Sequence, residues 1–102
     1  MEDFVYLNNL YDIYRELLTQ KQRDYFSNYY QDNLTLSEIA ENNDVSRNAV
    51  HKQLKDTVKI LENYEEKLGI YRKSTQIIDL ISDKNLREKI ERIIEGWLCL
   101  EK

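Results

Sequence analysis

Apolar side chains recur every three or four positions along most of the chain, the period of amphipathic helices. In the opening segment Phe4, Leu7, Tyr11, Tyr14 and Leu18 fall on one helical face, which Leu10, Ile13 and Leu17 widen. Thr19, followed three residues later by Gln22, reads as a capping box. It predicts a second helix that carries Tyr25, Phe26, Tyr29 and Tyr30 and ends among Asp32 and Asn33. Thr35 and Glu38 repeat the signature and open a short third helix to about residue 42, with Ile39 and Ala40 turned inward. Asn43-Asp44-Val45 is a turn. Ser46 then caps a long fourth helix whose seam is Val50, Leu54, Leu61, Tyr64 and Leu68, with Lys67 in its last turn and Gly69 as a left-handed stop. Apolar weight at Ile77, Ile78, Leu80 and Ile81 predicts a fifth helix. Ser82 or Asp83 caps a sixth, in which Leu86, Ile90, Ile93, Trp97 and Leu100 repeat at four, three, four and three. That stripe covers about two heptads, fewer than a coiled coil needs.

Composition supports an all-α chain. Charged residues make up 33% and hydrophobic ones 41%, with two Gly and no Pro. Turn-dense β architectures and Pro-rich linkers are therefore excluded. A length of 102 residues suits one domain, residues 1–102. Its motif core lies at about 19–68 and a helical extension at about 70–102. No window approaches the ~18 apolar residues of a membrane span, and the start Met1-Glu2-Asp3 is unlike a signal peptide. A cytoplasmic protein without membrane insertion is the expectation. The single cysteine, Cys99, excludes a disulfide framework and a cysteine-based metal cage, and a lone His51 makes no zinc site. Cys99 itself reads as a small apolar residue beside Trp97. No Ser-His-Asp arrangement, phosphate loop or zinc motif occurs, so neither catalysis, a cofactor nor a small-molecule substrate is expected.

The informative stretch is 35–54, TLSEIAENNDVSRNAVHKQL. A short capped helix, a tight turn and a longer helix opened by a Ser N-cap are the parts of a helix-turn-helix. Ile39, Ala40, Val45, Val50 and Leu54 form the wedge between its helices, and Ala40 has to be small where they cross. Asp44 stands where the turn favours a left-handed Gly, a conformation Asp tolerates at modest cost. Two neighbouring helices of a bundle with no ligand are the plain alternative.

Residues 18–54 resemble region 4 of bacterial sigma factors. The shared features are Leu18-Thr19 with Gln22-Arg23, the run LTLSEIA from Leu34 to Ala40, and VSR-x-AV from Val45 to Val50. Nearly the whole chain is similar to the YlxM family of low-GC bacteria, which joins this motif to a long helix reading like KILENYEEKLG at 59–69. The sequence departs from that family at Asn43-Asp44, where an aromatic and Gly are usual, and at His51-Lys52. The resemblance implies a regulatory protein encoded beside the GTPase of the signal recognition particle (SRP) and acting in that pathway.

A recognition helix reads bases near its amino end while flanking cations hold phosphates. Arg47 and Asn48 are the candidate base readers, suited to guanine and adenine edges, with His51 and Lys52 one turn on. Lys55 and Lys59 would serve phosphates. Over residues 46–60 four basic side chains against Asp56 give +3, within a chain of −4. The low overall charge and sequence pI near 5.0 mean that attraction to a polyanion must be local. A solvated helix face gives the same stripe. Eight Tyr could suggest base stacking, but their helical spacing favours packing. Glu62, Glu65 and Glu66 read as a solvated face.

The fold expected is all-α: a sigma region 4-like helix-turn-helix with a long fourth helix and a C-terminal helical extension. The function expected is non-enzymatic regulation in the SRP pathway, by binding DNA, the particle's RNA or its GTPase. The apolar surface of the fourth and last helices suggests a homodimer. An interaction adaptor that has lost nucleic-acid binding, or a sigma-like transcription regulator, are the rivals. The acidic balance of the chain suits the adaptor reading if its partner is basic.

Overall fold

The computed structural model describes residues 3–98. Six α-helices follow in order: α1 (Phe4–Tyr14), α2 (Gln20–Phe26), α3 (Leu36–Asn43), α4 (Arg47–Leu68), α5 (Ile70–Asp79) and α6 (Lys84–Leu98). Asp3 opens α1 by accepting the Tyr6 amide at 2.9 Å. The apolar period runs on to Leu18, but the helix does not. A 3-10 turn at Arg15–Leu17 tightens the chain, and Leu18 turns extended to enter the next cap. Leu17 is thereby thrown outward while Leu18 stays buried. Phe4, also expected on the inward face, lies at its rim and is exposed.

Both predicted capping boxes form reciprocally. Thr19 accepts from the Gln22 amide and donates its own to the Gln22 side chain; Thr35 and Glu38 do the same. The second helix changes pitch after Phe26, becoming a π-turn over Ser27–Gln31 before left-handed Asn33 ends it. Four aromatic residues crowd this segment, and Phe26 is stacked between Tyr11 and Tyr30, with ring centres 4.5 Å apart on each side. Single wide turns of this kind are the usual form of π-helix.

One apolar cluster joins α1, α2, α3 and α4 around Leu10, Phe26, Ile39, Leu54 and Leu61. Every tyrosine is either within it or packed half-buried against it, so the rings serve packing rather than an exposed stacking surface. The α4 seam keeps Val50, Leu54 and Leu61 at its centre, with Tyr64 half-buried. Leu68 is exposed, contrary to the spacing, at the last position of the 22-residue α4 before Gly69 ends it. Asp83, rather than Ser82, caps α6, accepting the Leu86 amide at 3.0 Å. Cys99 and Leu100 lie outside the described residues, as does the side chain of Trp97. No described helix is long and apolar enough to cross a membrane.

Glu65 is the largest departure from the sequence reading. It is 5% exposed, not solvated. At about 100° per residue it falls within the same arc of α4 as Leu54 and Leu61. Gly69 sits left-handed at φ 63° and begins α5 with no side chain to cap it. The missing cap comes from elsewhere. Glu65 accepts the Tyr71 and Arg72 amides at 3.1 and 3.0 Å, and the Tyr14 hydroxyl at 2.7 Å. That hydroxyl in turn accepts the Ile70 amide at 3.3 Å. All three amides of the first turn of α5 are thus satisfied by a carboxylate on α4 and a phenol on α1. The pair fixes the direction in which α5 and α6 leave the body.

Candidate nucleic-acid interface

Between α3 and α4 the chain makes a complete left-handed helix stop. Asp44 adopts φ 55°, ψ 47°; its amide reaches the Glu41 carbonyl at 3.3 Å and the Val45 amide reaches Ala40 at 3.0 Å. This pairing of the two amides is the Schellman arrangement, which needs only one residue able to enter the left-handed region. Asn43 adds a side-chain bond to the Ile39 carbonyl at 2.8 Å. Ser46 then caps α4, accepting the Ala49 amide at 3.0 Å. Ile39, Ala40, Val50 and Leu54 are buried between the two helices, as the wedge requires. Val45 is not part of it: placed just past the left-handed residue, it holds the turn through its backbone while its side chain stays exposed.

With the seam of α4 turned inward, its opposite side is presented to solvent. Asn48, Lys52, Lys55 and Lys59 lie within about 60° of one another and roughly 140° from the buried arc. Arg47 and His51 flank this stripe on one side. All six side chains are exposed. Lys52 is paired with Asp56 at 3.0 Å. The other five have no hydrogen-bond or ion-pair partner among the described residues. The positive end of the α4 dipole lies at the same place as Arg47 and Asn48, adding to the local field.

The basic track is short. Glu62 and Glu66 continue the line of Asn48, Lys52, Lys55 and Lys59 at the same spacing, so the exposed face changes sign after Lys59. On the neighbouring α3, Glu38 and Glu41 are both exposed. Any polyanion is therefore confined to the first half of α4. Among the described residues no three His, Cys, Asp or Glu side chains converge in a way that could hold a metal ion.

The spacing of Lys52 and Asp56, one helical turn apart, was the available sign that this lysine has a partner. For Glu65 two signs existed: its place between Leu61 and Leu68 on the seam, and the lack of a side chain on Gly69 to open α5.

A short capped helix, a left-handed turn and a longer helix offered outward by its leading turns define a helix-turn-helix protein. The comparison with known sequences agrees. The chain belongs to the UPF0122 family: residues 1–96 match the family described as "Putative helix-turn-helix protein, YlxM / p13 like". A UPF0122 protein of Fusobacterium nucleatum is 40% identical over 102 residues, covering 96% of this chain and 98% of the relative. UPF0122 proteins of Bacillus cereus and Bacillus anthracis are 43% identical over 104 residues, covering 94% of each chain.

Proposed function

We propose that this protein is a non-catalytic regulator that binds nucleic acid through the first half of α4, within the SRP pathway. Arg47 and Asn48 meet base edges, His51 and Lys52 lie one turn further along the groove, and Lys55 and Lys59 hold phosphates. The observation that carries this reading is the exposure of all six side chains along the first half of α4, five of them unpaired. Membership of a helix-turn-helix family supports the class of ligand. The link to the signal recognition particle rests on the YlxM likeness.

The test is a salt titration of binding to labelled duplex DNA and, separately, to structured RNA. Up to three phosphate contacts, from Lys52, Lys55 and Lys59, give a slope of log affinity on log salt of about −2.7 on duplex DNA. Arg47→Ala and Lys55→Ala each lower affinity without loss of helicity. Wild-type binding by both variants refutes the assignment.

The adaptor reading has its own support in the exposed Glu38 and Glu41 and the overall charge of −4. These suit a basic protein surface such as one on the GTPase of the particle. A complex with that GTPase that survives nuclease and ignores Arg47→Ala favours the adaptor.

A further inference from the structure

The α5–α6 hairpin is helical without a core of its own. Neither helix has a fully buried side chain among its described residues, and α6 packs against α5 rather than against the body. An open groove of about 850 Å³ lies between α1 and the hairpin, lined by the charged Asp12, Arg15, Asp79, Arg87 and Glu91 together with the apolar Ile13, Ile78 and Ile94. On the hairpin itself large aliphatic side chains are left in water: Ile77 at 48% exposure, Leu80 at 85%, Leu86 at 51% and Ile93 at 70%. Helices of 10 and 15 residues are marginal in water without an apolar face to bury.

The molecule is more extended than a compact chain of its length. Its radius of gyration is 15.8 Å, against about 13 Å for a compact chain of this length. Its accessible surface is 7089 Å². A folded monomer of this mass exposes about 6,100 Å². The excess, about 950 Å², is close to the ~800 Å² that each partner gives to a standard-sized interface.

We propose that the exposed aliphatic side chains of the α5–α6 hairpin, Ile77, Leu80, Leu86 and Ile93, join two copies of this chain in a two-fold dimer. Charge on the hairpin selects a second copy over a strongly charged partner. From Lys84 to Glu95, α6 carries Lys84, Arg87, Lys89 and Arg92 against Glu88, Glu91 and Glu95. A surface that meets itself about a two-fold axis must be close to neutral and of mixed sign, as this one is. The dimer stands on observations separate from the nucleic-acid reading. Joined with it, two α4 faces act on one ligand, which compensates for the short basic track of each.

Sedimentation equilibrium of the full chain, free of nucleic acid, tests the proposal. The expected mass is twice 12.4 kDa at micromolar concentration. Leu86→Glu with Ile93→Glu places four carboxylates in the dimer interface and raises the dissociation constant more than ~100-fold, with circular dichroism unchanged. Leu80→Lys, at the most exposed of the four positions, raises it ~10-fold and decides the matter should the double variant lose helicity. A wild-type monomer across the micromolar range overturns the dimer. Wild-type association by a folded double variant, or by Leu80→Lys where the double variant does not fold, overturns the assigned face.

Discussion

Glu65 is the one charged residue buried among the described residues, and removing its carboxylate should be strongly destabilising. Glu65→Ala withdraws the acceptor of three bonds: the Tyr71 and Arg72 amides and the Tyr14 hydroxyl. Bonds to a charged acceptor contribute about 1.5–3 kcal/mol each when their donors are left buried without a partner. Arg72 is exposed and its amide can recover water, so only the hydroxyl and the Tyr71 amide carry most of that cost. The Arg72 guanidinium, 3.9 Å from the carboxylate and half in solvent, adds little. The sum is about 3 kcal/mol, and a fall in Tm of about 15 °C for a chain of this size. Glu65→Gln keeps one carbonyl oxygen and costs about 1–2 kcal/mol, because its amide group faces the donors of α5. Chemical denaturation gives these values, and native-state hydrogen exchange locates them: the Tyr71 and Arg72 amides should exchange faster in Glu65→Ala while α4 amides near Leu54 follow global stability. A double-mutant cycle with Tyr14→Phe should leave a coupling of about 1 kcal/mol or more. A loss under 1 kcal/mol for Glu65→Ala, or additivity within about 0.4 kcal/mol in the cycle, refutes the shared cap.

Three other outcomes follow from the same contacts. Asp44→Gly relieves a left-handed non-glycine residue whose amide bonds do not need the side chain, and should raise stability by about 0.5–1 kcal/mol in urea denaturation; a loss contradicts the account of the turn. Burial first, and then the bond to the Glu65 carboxylate, pushes Tyr14 up to about 12; burial and the neighbouring Tyr29 do the same for Tyr30. Both phenols hold their protons more tightly when folded, so their contribution is intact below pH 10 and lost as pH rises from 10 through 12. The denaturant midpoint should fall steeply across that window, and less so in Tyr14→Phe/Tyr30→Phe; equal slopes refute it. Asp56→Asn frees Lys52 from its 3.0 Å partner and raises the local charge of residues 46–60 from +3 to +4, so affinity for a polyanion should rise about two- to fivefold at low salt and converge with wild type at high salt; weaker binding contradicts the placement of Lys52.

The parts of this fold that are legible in the sequence are those whose causes lie within three or four residues. Thr19 with Gln22, Thr35 with Glu38, and Ser46 with Ala49 each close a bond inside one helical turn, so the residue types alone place the helix starts. The outward stripe of α4 is legible for the same reason, being the complement of a seam read from Val50, Leu54 and Leu61. What escaped depends on partners far along the chain. Tyr14 and Glu65 are separated by 51 residues, so although the seam position of Glu65 hints at burial, nothing near it in sequence names the donors that a buried carboxylate needs. The early end of α1 escaped too, because the apolar period continues through Leu17 and Leu18 after the backbone has left the α-helix to reach the Thr19 cap.

The shared cap also decides how the two proposed surfaces relate. Asn48 and Glu65 stand on one unbroken helix, about 25 Å apart along its axis. The outward face occupies its first half, and the Tyr14–Glu65 pair grips α5 at its far end, after the sign of the exposed charge has changed. An unbroken helix passes on orientation without needing a hinge, so the position of the hairpin relative to Arg47 and Asn48 is set by packing rather than by a loop. Breaking the cap therefore separates two effects. Glu65→Gln leaves every side chain of the basic stripe untouched, so a short duplex that engages one protomer should be held as by wild type. It loosens the aim of the hairpin, so association of two copies, and with it the binding of a duplex long enough to span both α4 faces, should weaken. Equal losses on short and long duplexes would mean that the recognition face is damaged by the same change, and that the two halves of α4 are not mechanically distinct.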